Sequence, residues 1–473
     1  MFLYNSLTKH VDAFEPLKPP AVSLYTCGPT VYDYPHIGHG RKYVMDDVLK
    51  RTLTLFGYQV KHVQNVTDVG HLVSDADEGE DKMEKGAVRE GKTVWDIAKF
   101  YESEFYRDMD SLTIIRPDVV CRATEHINEQ VSLISKLVEN GYAYDTPEAV
   151  YFDVTKFDRY EKLFGQRLEE KEIASRDTVE KGTYKKHAAD FALWFKRTGK
   201  FATHVMHWKS PWGDGFPGWH IECSAMSMKY LGETIDIHTG GIDHISIHHP
   251  NEIAQSEGAT GKQFVRCWMH HAFLMVDGEK MSKSTGSYYR LSDVIDRGFS
   301  PMDLRYVYLL THYRKTLNFT WEGLHAAREA RVKISNYVVK YRAADHGEKR
   351  TTLSPEKLDT ATKFRNKFCD ALSDDLNTPQ AVAVVWEVLK STIPSEDKYD
   401  LIVSFDEVLG LGLANSKQYN KIPPEIQELV DQREKLRKEK KWEEADRIRG
   451  ELGKKGYDVI DNPEGSRALK IGH

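Results

Sequence analysis

The chain has 473 residues, of which 40% are hydrophobic and 11% aromatic, and its formal net charge is -6. A chain of this length exceeds a single hydrophobic core, so we expect about two to four domains. The charge excludes uniform attraction to nucleic acid but not local basic surfaces. No apolar run reaches the roughly 18 residues of a membrane span, and the first residues lack a secretion signal. We therefore expect a cytoplasmic protein without a membrane partner.

The cysteines argue against a disulfide-stabilised fold. They are odd in number and lie far apart, at Cys27, Cys121, Cys223, Cys267 and Cys369. Such a set is a poor disulfide framework, although single thiolates could bind a metal in a reducing compartment. We expect most of them to be buried free thiols.

The first elements predict a strand, a helix and a second strand. Residues 21–26 form a short β-prone run, apolar residues recur with a helical period over 38–56, and 58–66 again resemble a strand. This βαβ pattern predicts a parallel sheet. It places Cys27 and the histidine pair that follows it at the carboxyl end of the first strand, where open α/β sheets bind ligands.

The next segments complete the first half of the sheet domain and begin an inserted subdomain. Residues 75–85 are acidic and indicate a solvated loop, and 93–112 have helical spacing. A helix over 125–139 and a hairpin formed by 142–144 and 150–152 then predict an α+β subdomain between the two halves of the sheet domain.

The second half of the sheet domain begins with a loop. Residues 211–220 are too rich in glycine and proline for regular structure and lead to Cys223. A strand over 234–238 and a helix that begins at His248 follow. The turn after residue 276 precedes a mobile loop at 280–286.

The remainder is predominantly helical. Ser354-Pro355 and Thr378-Pro379 each place a proline just inside a predicted helix. A terminal segment pairs two predicted helices with a strand over 457–460. We found no internal repeat and no low-complexity linker.

Two short motifs point to nucleotide chemistry. His36-Ile37-Gly38-His39 begins a helix, where unpaired N–H groups and the helix dipole favour phosphate. Alone, two such histidines are more often structural. Lys280-Met281-Ser282-Lys283-Ser284 offers two cations that could close over a pyrophosphate. Together, and in this order, the motifs resemble the signature pair of class I aminoacyl-tRNA synthetases.

Four further residues are candidate metal ligands. Cys27 and Cys223 offer thiolates, and the spacing of His248 and Glu252 places both on one helix face. From spacing alone, two buried thiols and an exposed His/Glu contact remain the alternative.

The surrounding motifs resemble the cysteinyl-tRNA synthetase family over nearly the whole chain. The segments that carry the resemblance are Tyr25-Thr26-Cys27-Gly28-Pro29-Thr30-Val31-Tyr32, Pro217-Gly218-Trp219-His220-Ile221-Glu222-Cys223-Ser224-Ala225-Met226 and His248-His249-Pro250-Asn251-Glu252. The resemblance implies one zinc ion held by Cys27, Cys223, His248 and Glu252, which binds the thiolate of substrate cysteine. Coordination can separate cysteine from serine, which has nearly the same shape.

The same resemblance implies roles for the other site residues. His36, His39, Lys280 and Lys283 would be the catalytic residues, stabilising transition-state charge. The amino-acid pocket would contain Gly28, Thr67 and Trp219. The residues for Mg-ATP would be Gly38, Gly241, Asp243 and Lys283. Asp68 would be a structural acceptor.

The implied fold is α/β, with a Rossmann-like parallel-sheet catalytic domain, an inserted α+β subdomain, an α-helical bundle and a small C-terminal anticodon-binding module. The predicted boundaries are 1–120 and 201–276 for the two halves of the catalytic domain, 121–200 for the inserted connective subdomain, 277–322 for the signature loop and stem-contact region, 323–415 for the helical bundle and 416–473 for the C-terminal module. The implied partners are L-cysteine, ATP and the tRNA for cysteine, bound by a monomer.

The C-terminal module contains residues that could contact tRNA. It contains a basic run of Arg433, Lys435, Arg437, Lys438, Lys440 and Lys441. Acidic residues interleave with this run, so a solvated helix face is the alternative interpretation. Trp442 is available for base stacking.

Two other functions remain open from the sequence. A related cysteine ligase would form the same adenylate but pass it to an amino sugar, and the long helical region after residue 302 argues against it. A catalytically silent tRNA-binding paralogue is the other, and the intact histidine and lysine motifs argue against that.

Overall fold

The computed structural model describes residues 1–70, 72, 81–160, 184–281, 287–344, 354–416, 423–462 and 465–470. Its strands are β1 (Phe2–Asn5), β2 (His10–Ala13), β3 (Ala21–Thr26), β4 (Gln59–Val66), β5 (Val119–Arg122), β6 (Ala143–Asp145), β7 (Ala149–Phe152), β8 (Phe191–Lys196), β9 (Gly215–Pro217), β10 (Ile235–Gly241), β11 (Val265–His271), β12 (Leu274–Val276), β13 (Glu279–Lys280), β14 (Leu317–Phe319), β15 (Tyr457–Asn462) and β16 (Gly465–Lys470).

The α-helices follow the same chain order. They are α1 (Ile37–Leu55), α2 (Lys82–Glu90), α3 (Val94–Ser111), α4 (Ile127–Glu139), α5 (Trp219–Leu231), α6 (His248–Thr260), α7 (Leu291–Asp296), α8 (Pro301–Leu309), α9 (Trp321–Ala344), α10 (Pro355–Ser373), α11 (Thr378–Lys390), α12 (Ser395–Leu409), α13 (Pro424–Lys438) and α14 (Trp442–Lys454). No helix of the described segments is long and apolar enough to cross a membrane.

The chain divides into two compact units. The first comprises Met1–Phe273, His312–Thr316 and Ala371–Asn377, and the second comprises Leu274–Thr311, Leu317–Asp370 and Thr378–His473.

The first unit is built on a five-stranded sheet in the order β11-β10-β3-β4-β5, and every neighbouring pair is parallel. The predicted βαβ unit is confirmed as β3, α1 and β4. Because β3 is the earliest strand of this sheet and lies between β10 and β4, the chain departs from it in both directions. The carboxyl ends of β3 and β10 therefore form a topological switch point, where open α/β sheets bind ligands.

Apolar side chains account for the central βαβ unit. Leu24 and Tyr25 in β3 are fully buried, as are Val48 and Leu49 in α1. Helix α1 ends where the sequence predicts, because Gly57 adopts a φ of 86° just beyond it.

A second sheet in this unit has the order β6-β7-β8-β9 and is antiparallel. Strands β6 and β7 confirm the predicted hairpin. The prediction of an irregular loop over 211–220 is wrong for Gly215–Pro217, which pairs with β8, and for Trp219, which begins α5. A Cβ atom on Gly215 would lie 2.0 Å from the Phe195 carbonyl oxygen, so glycine here permits the close pairing of two backbones.

The prediction of a solvated acidic loop over 75–85 is wrong for residues 81–85. Asp81 is buried and caps α2, accepting a hydrogen bond from the Met83 N–H at 2.6 Å. Residues 81–85 therefore belong to a helix start. The segment 75–80 lies outside the described residues.

The second unit contains a three-stranded sheet in the order β13-β12-β14. Asp277 and Gly278, with φ values of 51° and 84°, form the predicted turn between β12 and β13. Lys280 ends β13, so the expectation that it lies in a mobile loop is wrong for this residue. Residues 282–286 lie outside the described residues.

The predicted proline starts of α10 and α11 are confirmed. At the C-terminal end, α13 and α14 pack on the hairpin β15-β16, whose second strand was not predicted. The shared core is formed by Ile426, Val430, Ile448, Leu452, Tyr457, Val459 and Ala468.

A buried arginine anchors α1 within the first unit. The Arg41 side chain is 1% exposed. Its guanidinium donates to the carbonyl oxygens of Ala272 at 2.9 Å, Phe273 at 2.6 Å and His312 at 3.1 Å, and also to Lys315. One side chain therefore satisfies carbonyls from two separate segments beside α1.

Replacing Arg41 by Met should lower the apparent melting temperature by roughly 5 °C or more, because four buried or partly buried carbonyl oxygens lose their donor. The matched control is Arg107→Met, since Arg107 is 61% exposed and pairs with Glu104 at the surface. That change should shift melting by less than about 2 °C. Scanning calorimetry of both variants measures the difference, and equal shifts would contradict the anchoring role.

Candidate metal and substrate site

Four potential metal ligands meet at the switch point of the central sheet. Cys27 follows β3, Cys223 lies on α5, and His248 and Glu252 lie one turn apart on α6. One ligand atom from each of the four lies within 4.8 Å of the others, and all four side chains are buried. The structure therefore brings together the four residues that the sequence proposed as a set. Two thiols, an imidazole and a carboxylate form a donor set that suits a borderline-soft divalent cation.

The carboxylate of this group is held in its charged form. Burial opposes ionisation of Glu252, but His238 and His248 lower its pKa to about 2. Oε1 of Glu252 lies 3.0 Å from Nε2 of His248, and Oε2 lies 3.0 Å from Nε2 of His238. In return, Glu252 raises the pKa of His248 to about 10 against the effect of burial.

The two thiols have the opposite tendency. Burial raises the pKa of both Cys27 and Cys223. Without a cation, burial disfavours the thiolate forms. A divalent ion between them would reverse that preference.

A layer of histidines surrounds these four residues, and the sequence analysis did not assign it. Nδ1 of His220 lies 2.9 Å from Nδ1 of His248. Nε2 of His249 lies 3.4 Å from the Cys27 sulfur, and its Nδ1 lies 2.7 Å from Nε2 of His270. Partners of this kind orient the residues that contact a metal. The density of histidines beside the motif residues is the signal that could have revealed the layer.

One of these histidines, His249, also belongs to a second possible donor set. Cys27, His238, His249 and Glu252 also offer ligand atoms within 4.8 Å of one another. Because Cys27 and Glu252 belong to both sets, the two describe overlapping positions and not two separate sites.

The residues proposed for the amino-acid pocket adjoin the same strands. The Gly28 N–H donates to Asn65 Oδ1 at 2.7 Å, and a Cβ on Gly28 would lie 1.6 Å from the Asn65 carbonyl oxygen. Thr67 forms a bridge with Thr30 just beyond β4. The half-buried ring of Trp219 is 4.2 Å from the imidazole of His248, measured between centroids.

The predicted phosphate motif does begin a helix. His36 caps α1 by accepting from the His39 N–H at 3.3 Å, and the His36 N–H donates to Nδ1 of His39 at 3.2 Å. The two imidazole rings stack with centroids 3.7 Å apart. Gly38 lies in the first turn and is partly exposed, which leaves the helix start open to a ligand.

The structure describes three of the four other residues proposed to bind ATP or pyrophosphate. Gly241 ends β10, and Asp243 follows it with an exposed side chain. Lys280 is exposed in the second unit, whereas Lys283 lies outside the described residues. Asp68 accepts from the backbone and hydroxyl of Thr124, at 3.0 and 2.6 Å, in agreement with a structural role.

Known protein families match most of the chain. A model of the tRNA synthetases class I (C) catalytic domain matches residues 13–329, a cysteinyl-tRNA ligase anticodon binding domain matches 420–466, and a DALR domain matches 367–392. A curated cysteine–tRNA ligase of Treponema denticola is 42% identical, covering 97% of this chain and 96% of its own length. Cysteine–tRNA ligase 1 of Burkholderia lata is 44% identical, covering 98% of this chain and 96% of its own length.

Solved structures are similar in fold. A methionyl-tRNA synthetase of Mycobacterium tuberculosis in complex with methionyl-adenylate aligns with a TM-score of 0.57 at 16% identity, over 83% of this chain and 90% of its own. A putative arginyl-tRNA synthetase of Campylobacter jejuni aligns with a TM-score of 0.52 at 15% identity, over 86% and 95%. At these identities the likeness supports the α/β fold alone.

Replacing Gly28 by Ala should remove metal binding and lower the melting temperature, because the added methyl overlaps the Asn65 backbone and displaces the end of β3. Gly450→Ala is the matched control: Gly450 lies inside α14 with no atom within 4 Å of the added carbon. That change should be neutral or slightly stabilising. Zinc content and thermal unfolding measure both, and a Gly28→Ala protein that keeps its metal would refute this account of the turn.

Proposed function

Because the chain belongs to the cysteinyl-tRNA synthetases of class I, we propose that it joins L-cysteine to its cognate tRNA. In the first step, a cysteine carboxylate oxygen bonds to the α-phosphorus of Mg-ATP and pyrophosphate leaves. In the second, a hydroxyl of the terminal tRNA ribose bonds to the carbonyl carbon of the adenylate. AMP then leaves, and the hydroxyl proton passes to solvent.

The observation that carries this proposal is the convergence of four buried donors, Cys27, Cys223, His248 and Glu252. Their chemistry fits zinc, which accepts sulfur, imidazole and carboxylate ligands. When bound, a zinc ion supplies a Lewis-acid site that prefers a thiolate to an alcohol. Substrate cysteine would thereby be selected over serine, which a shape-complementary pocket separates poorly.

The chain's own residues prepare this site. His238 and His220 hold Glu252 and His248 in fixed orientations. Gly28 permits the backbone after Cys27 to approach β4, and the Trp219 ring covers His248. These contacts favour one arrangement of the donors and exclude water from their surroundings.

We assign the contacts with the phosphates of ATP to the start of α1 and to the lysine motif. His36 and His39 at the positive end of α1 would hold anionic oxygens, with Gly38 allowing close approach. Gly241 and Asp243 would contact the nucleoside of ATP. Lys280 and Lys283 would neutralise the charge that grows on pyrophosphate.

The C-terminal module would bind the tRNA anticodon. Trp442 is 54% exposed, and the Arg437 guanidinium lies 5.7 Å from its ring centroid. An exposed aromatic ring beside a cation is suited to base stacking. Arg433, in contrast, is fully buried and donates to Ser466 at 3.3 Å, so it stabilises the module and does not contact RNA. The match to an anticodon binding domain favours tRNA over an amino sugar as the acceptor.

An aminoacylation assay tests the proposed function directly. Purified protein with cysteine, ATP and tRNA should form cysteinyl-tRNA. Cysteine-dependent exchange of pyrophosphate into ATP without charging would favour the amino-sugar ligase. Absence of both activities would favour the silent paralogue.

Replacing Cys223 by Ala should abolish stoichiometric zinc, because a three-donor site binds the ion much more weakly. Cys267→Ala is the matched control, since Cys267 is another buried cysteine but belongs to neither donor set. Elemental analysis of the two purified variants decides the assignment. Equal zinc content would remove Cys223 from the ligand set.

Replacing Lys283 by Ala should slow cysteine-dependent pyrophosphate exchange by roughly 100-fold, while zinc content stays unchanged. The control is Lys363→Ala, which removes a lysine that is 70% exposed and pairs only with Asp359 at the surface among the described residues. The rate of cysteine-dependent pyrophosphate exchange is measured for both variants. A rate for Lys283→Ala equal to that of the control would refute the assignment.

A further inference from the structure

Glu222 is a buried carboxyl group beside the proposed metal ligands, and the proposed reaction does not use it. Its side chain is 0% exposed, and it precedes Cys223 on α5. It belongs to neither donor set. Burying a carboxyl group without a full set of partners is costly, so a structure retains one where its position matters.

One oxygen of this carboxyl has a specific partner. Thr67 Oγ1 donates to Oε2 of Glu222 at 2.9 Å, across 155 residues of sequence. Among the described residues, Oε1 of Glu222 has no hydrogen-bond partner. The contact therefore joins the segment after β4 to the first turns of α5.

The bond fixes how the Thr67 hydroxyl can meet a ligand. A hydroxyl has one hydrogen to donate and two lone pairs that accept. The hydrogen is directed to Glu222, and one lone pair accepts from Asn65 Nδ2 at 3.2 Å. The remaining capacity of Thr67 is an acceptor, which suits the α-ammonium group of an amino acid and not its carboxylate.

Because Glu222 and Cys223 are consecutive on α5, the bond from Thr67 to Glu222 ties Thr67 to the helix that carries Cys223. Cys223 belongs to the group proposed to recognise the substrate thiol, and Thr67 presents an acceptor suited to an ammonium group. In cysteine, the thiol and the ammonium are separated by a fixed pair of carbon atoms. A hydrogen bond that ties Thr67 to the helix carrying Cys223 would limit how far the two recognition points can move apart.

We infer that Glu222 is a positioning residue that holds the Thr67 hydroxyl at a fixed distance from the thiol-binding group, so that the site recognises the spacing between the ammonium and thiol groups of cysteine. This inference rests on the proposed function. Glu222 acts through Thr67 and does not contact the substrate. Loss of Glu222 should therefore weaken the binding only of ligands that carry an ammonium group.

The experiment uses zinc-loaded, full-length protein and two substitutions of similar size. Glu222→Leu removes the acceptor, whereas Glu222→Gln keeps an oxygen that can accept from Thr67. The Leu variant should raise the KM for cysteine in pyrophosphate exchange by roughly tenfold, and the Gln variant should restore most of this loss. Zinc content should be unchanged in both.

A ligand without an ammonium group separates positioning from general damage. 3-Mercaptopropionate keeps the thiol and carboxylate of cysteine but lacks the ammonium. Its inhibition constant should be the same in wild type and Glu222→Leu, while the KM for cysteine rises. An equal loss for both compounds, or no loss for cysteine, would overturn the inference.

Thr67→Val provides a second route if Glu222→Leu does not fold. This variant should raise the KM for cysteine by a similar factor and leave inhibition by 3-mercaptopropionate unchanged. Where both single variants fold, the double variant should be no worse than Thr67→Val alone, because both changes remove one interaction. Additive effects, or a Thr67→Val protein with normal KM, would contradict the link.

The outcomes also distinguish this inference from the proposed function. If wild-type protein shows no cysteine-dependent exchange, the proposed function fails. If wild type is active and Glu222→Leu has an unchanged KM for cysteine, only the role of Glu222 fails.

Discussion

The buried carboxylate of Glu252 is the interaction on which the rest of the site depends. It is 0% exposed, and an isolated charge in such a place would be expensive to maintain. Two imidazoles, those of His238 and His248, each lie 3.0 Å from one of its oxygens and keep it ionised. Because His238 comes from β10 and His248 begins α6, the carboxylate also joins a strand to the following helix. Disturbing any one of these residues would leave a buried charge without its partner.

The topology explains why the donors can meet. Cys27 follows β3 and Gly241 ends β10, and these neighbouring parallel strands are far apart in sequence. Parallel strands bring their carboxyl ends to the same edge of a sheet, and the change of direction at β3 opens a crevice there. The starts of α5 and α6 add Cys223 and His248 to that crevice. The position of the site therefore follows from strand order before any ligand is considered.

The sequence predicted the βαβ unit and the helix start at His36, because periodicity and patterned motifs report local structure. The four candidate donors were grouped through the family resemblance, and the structure brings them together. Among the strands that the sequence missed are β9, which is only three residues long and depends on pairing with β8, and β16, the second strand of the C-terminal hairpin. It also treated Arg433 as a surface cation, although this side chain is fully buried. The histidine layer was missed for a related reason: His220, His249 and His270 acquire their roles only when separate strands and helices meet.

The histidine layer completes the charge balance of the site. Burial lowers the pKa of His249 and His270, which keeps both imidazoles neutral. A neutral imidazole has one N–H and one acceptor nitrogen, so His249 can donate on one side only while it lies between the Cys27 sulfur and His270. Cationic histidines would compete electrostatically with a metal ion, whereas neutral ones orient its ligands without opposing it. The site thus places its negative charge on Glu252, and a bound cation would add the two thiolates, while the neutral histidines fix the geometry of these ligands.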